Sequence, residues 1–187
     1  MELSKKIKLC AGFCTALLLT ATELKAGPSG MLAGKTTDSG FAVLELFTSE
    51  GCSSCPPAET LVEQIQSQVA DKPVYILEFH VDYWDRLGWK DPFSSHAYSN
   101  RQYNYSRHFD GQVYTPQLII NGTEQGIGSD ADFVQKNLAD AFRRASVSSL
   151  QLEVRPQDGK LYIDYATSND VTGVQLNIAF VQKHATS

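Results

Sequence analysis

The chain is poor in cysteine and has no long apolar run after its N-terminal segment. Only four of its 187 residues are cysteine, and the two that lie beyond the N-terminal segment are too few for a disulfide scaffold in a domain of this size. No later stretch approaches the roughly 20 apolar residues that a membrane span requires. Basic residues form no run that could neutralise nucleic-acid phosphates, and a formal net charge of -5 with a pI of about 5.3 argues against a nucleic-acid partner. No phosphate loop, Ser/His/Asp arrangement, paired-carboxylate motif, internal repeat or low-complexity tract is present. What is there is ordinary for a globular protein: 42% hydrophobic and 20% charged residues, enough to bury a core.

The first residues read separately. Lys5, Lys6 and Lys8 precede an apolar run from Leu9 to Ala21, which gives way to Thr22-Glu23-Leu24-Lys25-Ala26. That is the three-part layout of a secretory signal peptide, expected over residues 1–26 with cleavage after Ala26. An uncleaved N-terminal anchor is the alternative and would change tethering, not chemistry. Cleavage removes Cys10 and Cys14, neither of which follows the small residue that a lipid-modified cysteine wants, and leaves Cys52 and Cys55 as the only pair. The expected mature protein is periplasmic or secreted and has no membrane span. A cross-link between cysteines three positions apart closes almost no loop, so it would remove little unfolded-state entropy.

After a Gly/Ser/Thr-rich lead-in over 27–40, Phe41–Phe47 is a short apolar run that predicts a buried strand. Pro56-Pro57 then sits where a helix accepts proline, and Leu61, Val62, Ile65 and Val69 recur on one face. Val74–Asp82 predicts a second strand covered on both faces, and strand–helix–strand implies a right-handed parallel unit. Residues 83–112 form a polar, aromatic insertion with one helix around Ser95–His108. Val113–Gly122 predicts a third strand, turned by Asn121-Gly122 into an antiparallel partner at Glu124–Ile127. Ser129 or Asp130 can cap a second core helix carrying Phe133, Val134, Leu138, Ala141, Phe142 and Ala145. Residues 147–187 then alternate with period two, at Leu150, Leu152 and Val154, at Leu161, Ile163 and Tyr165, and at Val174, Leu176, Ile178 and Phe180. This predicts a small three-stranded antiparallel meander, whose apolar face wants a cover and whose edge is open to contact.

The order strand, Cys-x-x-Cys, helix, strand, insertion, Thr-Pro, hairpin, helix resembles the thioredoxin-like superfamily over 41–146. The stretches Leu46-Phe47-Thr48-Ser49-Glu50-Gly51-Cys52-Ser53-Ser54-Cys55-Pro56-Pro57 and His80-Val81-Asp82-Tyr83-Trp84-Asp85 are similar to a family of secreted bacterial thioredoxin-like proteins of unassigned function. The resemblance implies an α/β fold with a mixed sheet flanked by helices. It also implies a cis Pro116 facing the dithiol, with Thr115 offering its backbone to a substrate peptide. One departure stands out. Six residues before the first cysteine, where thioredoxins carry a buried Asp, this chain has Leu46.

The residues make their own chemical case. A cysteine at a helix N-terminus is stabilised as thiolate by free N–H groups and the helix dipole, which suits Cys52 as nucleophile and Cys55 as resolving thiol. Ser53 and Ser54 could add hydroxyl donors. His80, Glu45 and Glu78 are candidates for a proton relay, each with a purely structural alternative. Asp82, Trp84 and Asp85 stand at the lip of a groove that the aromatic insertion could form beside the dithiol, unless those aromatics are a satellite core. The expected function is thiol–disulfide oxidoreduction on exported proteins or small thiols, with no cofactor and no resident metal. A copper-binding protein using Cys52, Cys55 and His80, and a redox-inert binding module, are the alternatives.

Overall fold

The computed structural model of the protein describes residues 5–9, 40–69, 71–109, 111–146, 148–169, 173 and 175–182. In chain order its strands and helices are β1 (Lys5–Leu9), β2 (Ala42–Thr48), α1 (Pro56–Gln68), β3 (Val74–His80), a 3-10 helix (Asp82–Leu87), α2 (His96–Ser106), β4 (Gln117–Ile120), β5 (Glu124–Ile127), α3 (Ala131–Arg143), β6 (Leu150–Gln157) and β7 (Lys160–Thr167). They divide into two compact units, Asp38–Ser146 with Asn177–Ser187, and Met1–Thr37 with Val147–Leu176.

The larger unit is a mixed sheet of order β3-β2-β4-β5 flanked by helices, with β2 and β3 parallel and the other pairs antiparallel. Strand β2 is central because both of its faces find an apolar cover. Leu44 and Leu46 point to one face, where Ala58, Val62 and Ile65 of α1 meet Val134, Leu138 and Ala141 of α3. Phe47 points to the other, against Ile119, Val81, Phe79, Tyr83, Trp84, Tyr105 and Phe109. The aromatic insertion is therefore the second cover of the sheet. Each Leu or Phe side chain so buried contributes about 1.5–3 kcal/mol.

Local chemistry sets the element ends. Prolines open α1, Ser95 Oγ caps α2 through Ala97 N–H, and Asp130 Oδ1 accepts Phe133 N–H to cap α3. Asn121 and Gly122 both take positive φ, 50° and 68°, and the Asn121 side chain clips β2 by accepting Val43 N–H at 2.7 Å. Strand β4 starts only at Gln117, later than the expected Val113, because Pro116 has no N–H to give a ladder. Strand β3 corrects the expectation of full cover. It is an edge strand with Tyr75 and Glu78 exposed, although Val74 and Ile76 pack on one core and Phe79 on the other.

The smaller unit is a hairpin, β6 with β7, turned at Asp158-Gly159 with φ of 51° and 70°. The expected third meander strand is not formed: residues 175–180 have no regular structure, and Val174 lies outside the described residues. Its place beside β7 is taken by β1, in antiparallel register from Lys5↔Tyr165 to Leu9↔Leu161. Of the expected signal segment 1–26, only β1 is among the described residues, and the lead-in 27–40 lies outside them except for Gly40. Among the described residues no helix is long and apolar enough to cross a membrane.

One charged residue sits in the middle of the apolar strand β2. Glu45 is buried and held by Arg101 Nε at 2.6 Å, by Arg101 Nη2 at 2.8 Å and by the Tyr105 hydroxyl at 2.8 Å, all from α2. Burial and the adjacent Glu45 push the Tyr105 hydroxyl up to about 12, so it stays a donor at any physiological pH. Removing one partner of such a pair leaves a buried charge unmatched. Arg101→Ala should cost about 3–5 kcal/mol in the urea-unfolding free energy, whereas the exposed ion pair Arg144–Glu124 should contribute less than about 1 kcal/mol.

Candidate functional site

The end of β2 delivers Cys52 and Cys55 to the start of α1. The two form a disulfide with Cα atoms 5.4 Å apart. Cys52 N–H donates to Ser49 O at 3.0 Å, Cys55 N–H to Cys52 O at 3.1 Å, and Cys55 O accepts from Ala58 at 2.8 Å and Glu59 at 3.2 Å. Cys55 is thus the cap residue of α1, and Cys52 sits in the turn before it, 3.5 Å from Ser54 Oγ. Their exposures are 2% and 0%, so the pair is shielded on nearly every side.

Two loops approach the segments that carry the pair, one at Gly51 and one at the first turn of α1. The Thr115–Pro116 peptide is cis, as the resemblance implies, and Pro116 is buried. It lies by the first turn of α1: a Cβ on Gly128 would meet Leu46 Cδ1 at 2.8 Å, Ala58 Cβ at 3.1 Å and Pro116 Cβ at 3.4 Å. Leu46 therefore fills an apolar niche under α1. Trp84 bridges the loops, its Nε1–H donating to Thr115 Oγ1 at 2.8 Å while its Cβ lies 3.3 Å from where a side chain on Gly51 would begin. Behind Pro116, the buried amides of Gln102 and Gln117 bond each other at 2.8 Å, and Gln102 Nε2 also donates to Tyr114 O at 2.7 Å. This satisfied network fixes the backbone that leads into the proline.

The loop before Cys52 is held by a carboxylate that sequence reasoning missed. Asp91, 1% exposed, accepts Glu50 N–H at 2.8 Å and His80 Nδ1–H at 2.7 Å on Oδ2, and Phe93 N–H at 2.8 Å on Oδ1. The interaction fixes the His80 tautomer and leaves Nε2 as the free nitrogen. Burial opposes the charged form of Asp91, but the Glu50, His80 and Phe93 bonds outweigh it and hold the carboxyl below the ordinary 3.8. Trp89 Nε1–H adds a bond to Glu50 Oε2 at 3.0 Å. In sequence, Asp91 before Pro92 reads only as loop punctuation.

The other named residues separate into two groups. Glu45 faces α2 and is committed to Arg101 and Tyr105, on the face of β2 away from α1. Asp82 accepts the Ser99 hydroxyl and lies 3.0 Å from His96 Nδ1, which ties the 3-10 helix to α2; its carboxyl is held below 3.8 mainly by the Ser99 bond. Asp85 accepts Ser94 Oγ–H at 2.8 Å within the insertion. On the α1 side, Glu78 neighbours Glu59, whose Oε1 accepts the buried Thr48 hydroxyl at 2.5 Å. The Glu78 side chain is exposed on its edge strand, yet partial burial of its carboxyl, then Glu59 and Glu63, push it above 4.5 while His80 pulls it back. Among the described residues no group of three or more His, Cys, Asp or Glu side chains is arranged to hold a metal ion.

Residues 43–187 match the family described as "Protein of unknown function (DUF1223)". The chain belongs to this family. It is also similar to the crystal structure of protein AGR_C_4864 from Agrobacterium tumefaciens, with 36% identity, a TM-score of 0.55, and coverage of 71% of this chain and 58% of that one. The chain thus spans 58% of that protein's length. HBP35 of Porphyromonas gingivalis is similar at 16% identity and a TM-score of 0.39 over 65% of this chain and 39% of that one. No curated protein matches the chain.

The Asp91 interactions set a pH dependence. A carboxyl with a depressed folded pKa contributes stability that is present above the unfolded value and is lost as pH falls through the folded value. Asp91→Asn should therefore lower the unfolding free energy by about 1–3 kcal/mol at pH 7. The gap to wild type should narrow below the ordinary aspartate value of 3.8, as read from urea midpoints at both pH values.

Proposed function

We propose that this protein is a thiol–disulfide oxidoreductase of thioredoxin-like architecture, acting outside the cytoplasm on exported proteins or small thiols. The observation that carries the reading is the Cys52–Cys55 disulfide at the start of α1, in a chain whose Thr115–Pro116 peptide is cis. A cross-link closing so short a loop adds little stability, so its value is chemical. The N-terminal layout of Lys5, Lys6, Lys8 and the following apolar run supports export.

The reaction is a pair of exchanges. The Cys52 thiolate attacks a substrate disulfide, its sulfur bonding to one substrate sulfur while the other leaves as a thiolate. Cys55, deprotonated, then attacks Cys52 Sγ, forms the observed disulfide and releases the second substrate thiolate. One substrate disulfide is reduced to two thiols as the protein dithiol is oxidised, and the reverse sequence oxidises a substrate. Thr115 offers backbone beside the site, and Trp84 forms its rim. His80, fixed by Asp91, supplies an imidazole at the end of β3 for proton exchange.

The test is titration in glutathione buffers of the chain carrying Cys10→Ser and Cys14→Ser, followed by thiol trapping. Cys52 and Cys55 should interconvert as one two-electron couple, and insulin or glutathione disulfide should react with the dithiol but not with Cys52→Ser. A pair that stays in one state across the whole buffer range would refute the proposal.

A further inference from the structure

Resting on that reading, we propose that Glu59 is the carboxylate that takes the proton from Cys55 when Cys55 resolves a mixed disulfide, and returns it in the reverse direction. The resolving thiol must ionise before it attacks, and Cys55 is 0% exposed, so bulk water is a poor acceptor for its proton. Glu59 lies one helical turn after Cys55, its N–H bonded to Cys55 O at 3.2 Å. Side chains four residues apart share a helix face, and a helical side chain leans back over the turn before it. The carboxylate is also held in place by the sheet. The hydroxyl of Thr48, fully buried at the end of β2, holds Glu59 Oε1 at 2.5 Å on the sheet side of the helix.

The polar and charged groups facing Glu59 come from three elements. From β2 there is only the neutral Thr48, from β3 Glu78 with His80 beyond it, and on α1 itself Glu63 one turn further on. Glu59 and Glu78 interact, which is one reason the Glu78 carboxyl lies above its ordinary value. Glu45 cannot share this role, because Arg101 and Tyr105 hold it on the opposite face of β2. The proton step accompanies the exchange without other reagents: Cys55 S–H gives its proton to the Glu59 carboxylate, and the Cys55 electron pair forms the bond to Cys52 Sγ. The Cys52–substrate bond breaks, and its electrons leave on the substrate sulfur.

The decisive experiment mixes the reduced chain, carrying Cys10→Ser and Cys14→Ser, with Ellman's disulfide in a stopped-flow instrument across pH 6–10. Attack by Cys52 releases the first chromophoric thiolate, and resolution by Cys55 releases the second. Glu59→Gln should leave the first phase unchanged and slow the second about 10²-fold near neutral pH. The deficit should close above pH 8.5, about where a thiol ionises unaided. Glu59→Asp should recover part of the rate, and Thr48→Val, which keeps the acid but frees it, should fall between wild type and Glu59→Gln. An unchanged second phase in Glu59→Gln would overturn the proposal, as would a slowing independent of pH or an equal loss in both phases. A loss in Glu78→Gln alone would overturn it by moving the role to Glu78. If wild type releases only the first thiolate, the oxidoreductase reading itself fails.

Discussion

A single buried carboxylate organises the region around the disulfide. Asp91 collects hydrogen bonds from the loop before Cys52, from the end of β3 and from its own loop in the insertion. The loop before Cys52 is 41 residues from Asp91 in sequence, and none of the bonds belongs to a helix or sheet ladder. A buried charge without partners would be costly, so the three donors and the carboxylate enforce one another. The turn that presents the cysteines, the orientation of His80 and the fold of the insertion near Phe93 therefore stand or fall together.

The central strand shows the same logic on a larger scale. Strand β2 separates two chemistries: its Leu44, Leu46 and Thr48 side looks onto α1 and α3, its Glu45 and Phe47 side onto the aromatic insertion. The insertion is joined to the sheet by Glu45 with Arg101 and Tyr105 as well as by ring contacts such as Phe47 with Tyr105 at 6.2 Å. Deleting residues 83–112 to reach a smaller domain would leave Glu45 charged and unpaired in the middle of a strand. What looks in sequence like an added segment is structurally half of the core.

Much of this was legible from pattern alone. The apolar run at 41–47, the proline-opened helix, the Asn121-Gly122 turn and the capped stripe of α3 each follow from local chemistry, and each lies within a few residues of its expected place. The contacts that tie the site were not legible, because they join positions 41, 11 and 31 residues apart, as in Glu50–Asp91, Thr48–Glu59 and Trp84–Thr115. Periodicity says which face a residue occupies and says nothing of which distant loop meets it. Glu45 and Glu78 look alike as acids in apolar strands, yet one is in the central strand with a guanidinium partner and the other is exposed at an edge. The third meander strand failed for a different reason: alternation marks a segment that can pair and does not say that it will, and residues 175–180 have no regular structure.

The insertion also decides where the protein's tryptophans stand. The chain has two, and both are tied to the few residues before Cys52: Trp84 lies over Gly51 and bonds Thr115, and Trp89 bonds Glu50. Neither is shared with the helical core or the hairpin. The intrinsic ultraviolet emission of the molecule is consequently a native optical label for one loop, and its intensity will track the state of the neighbouring sulfurs, a nearby disulfide being an efficient quencher of indole, without any dye or added chromophore.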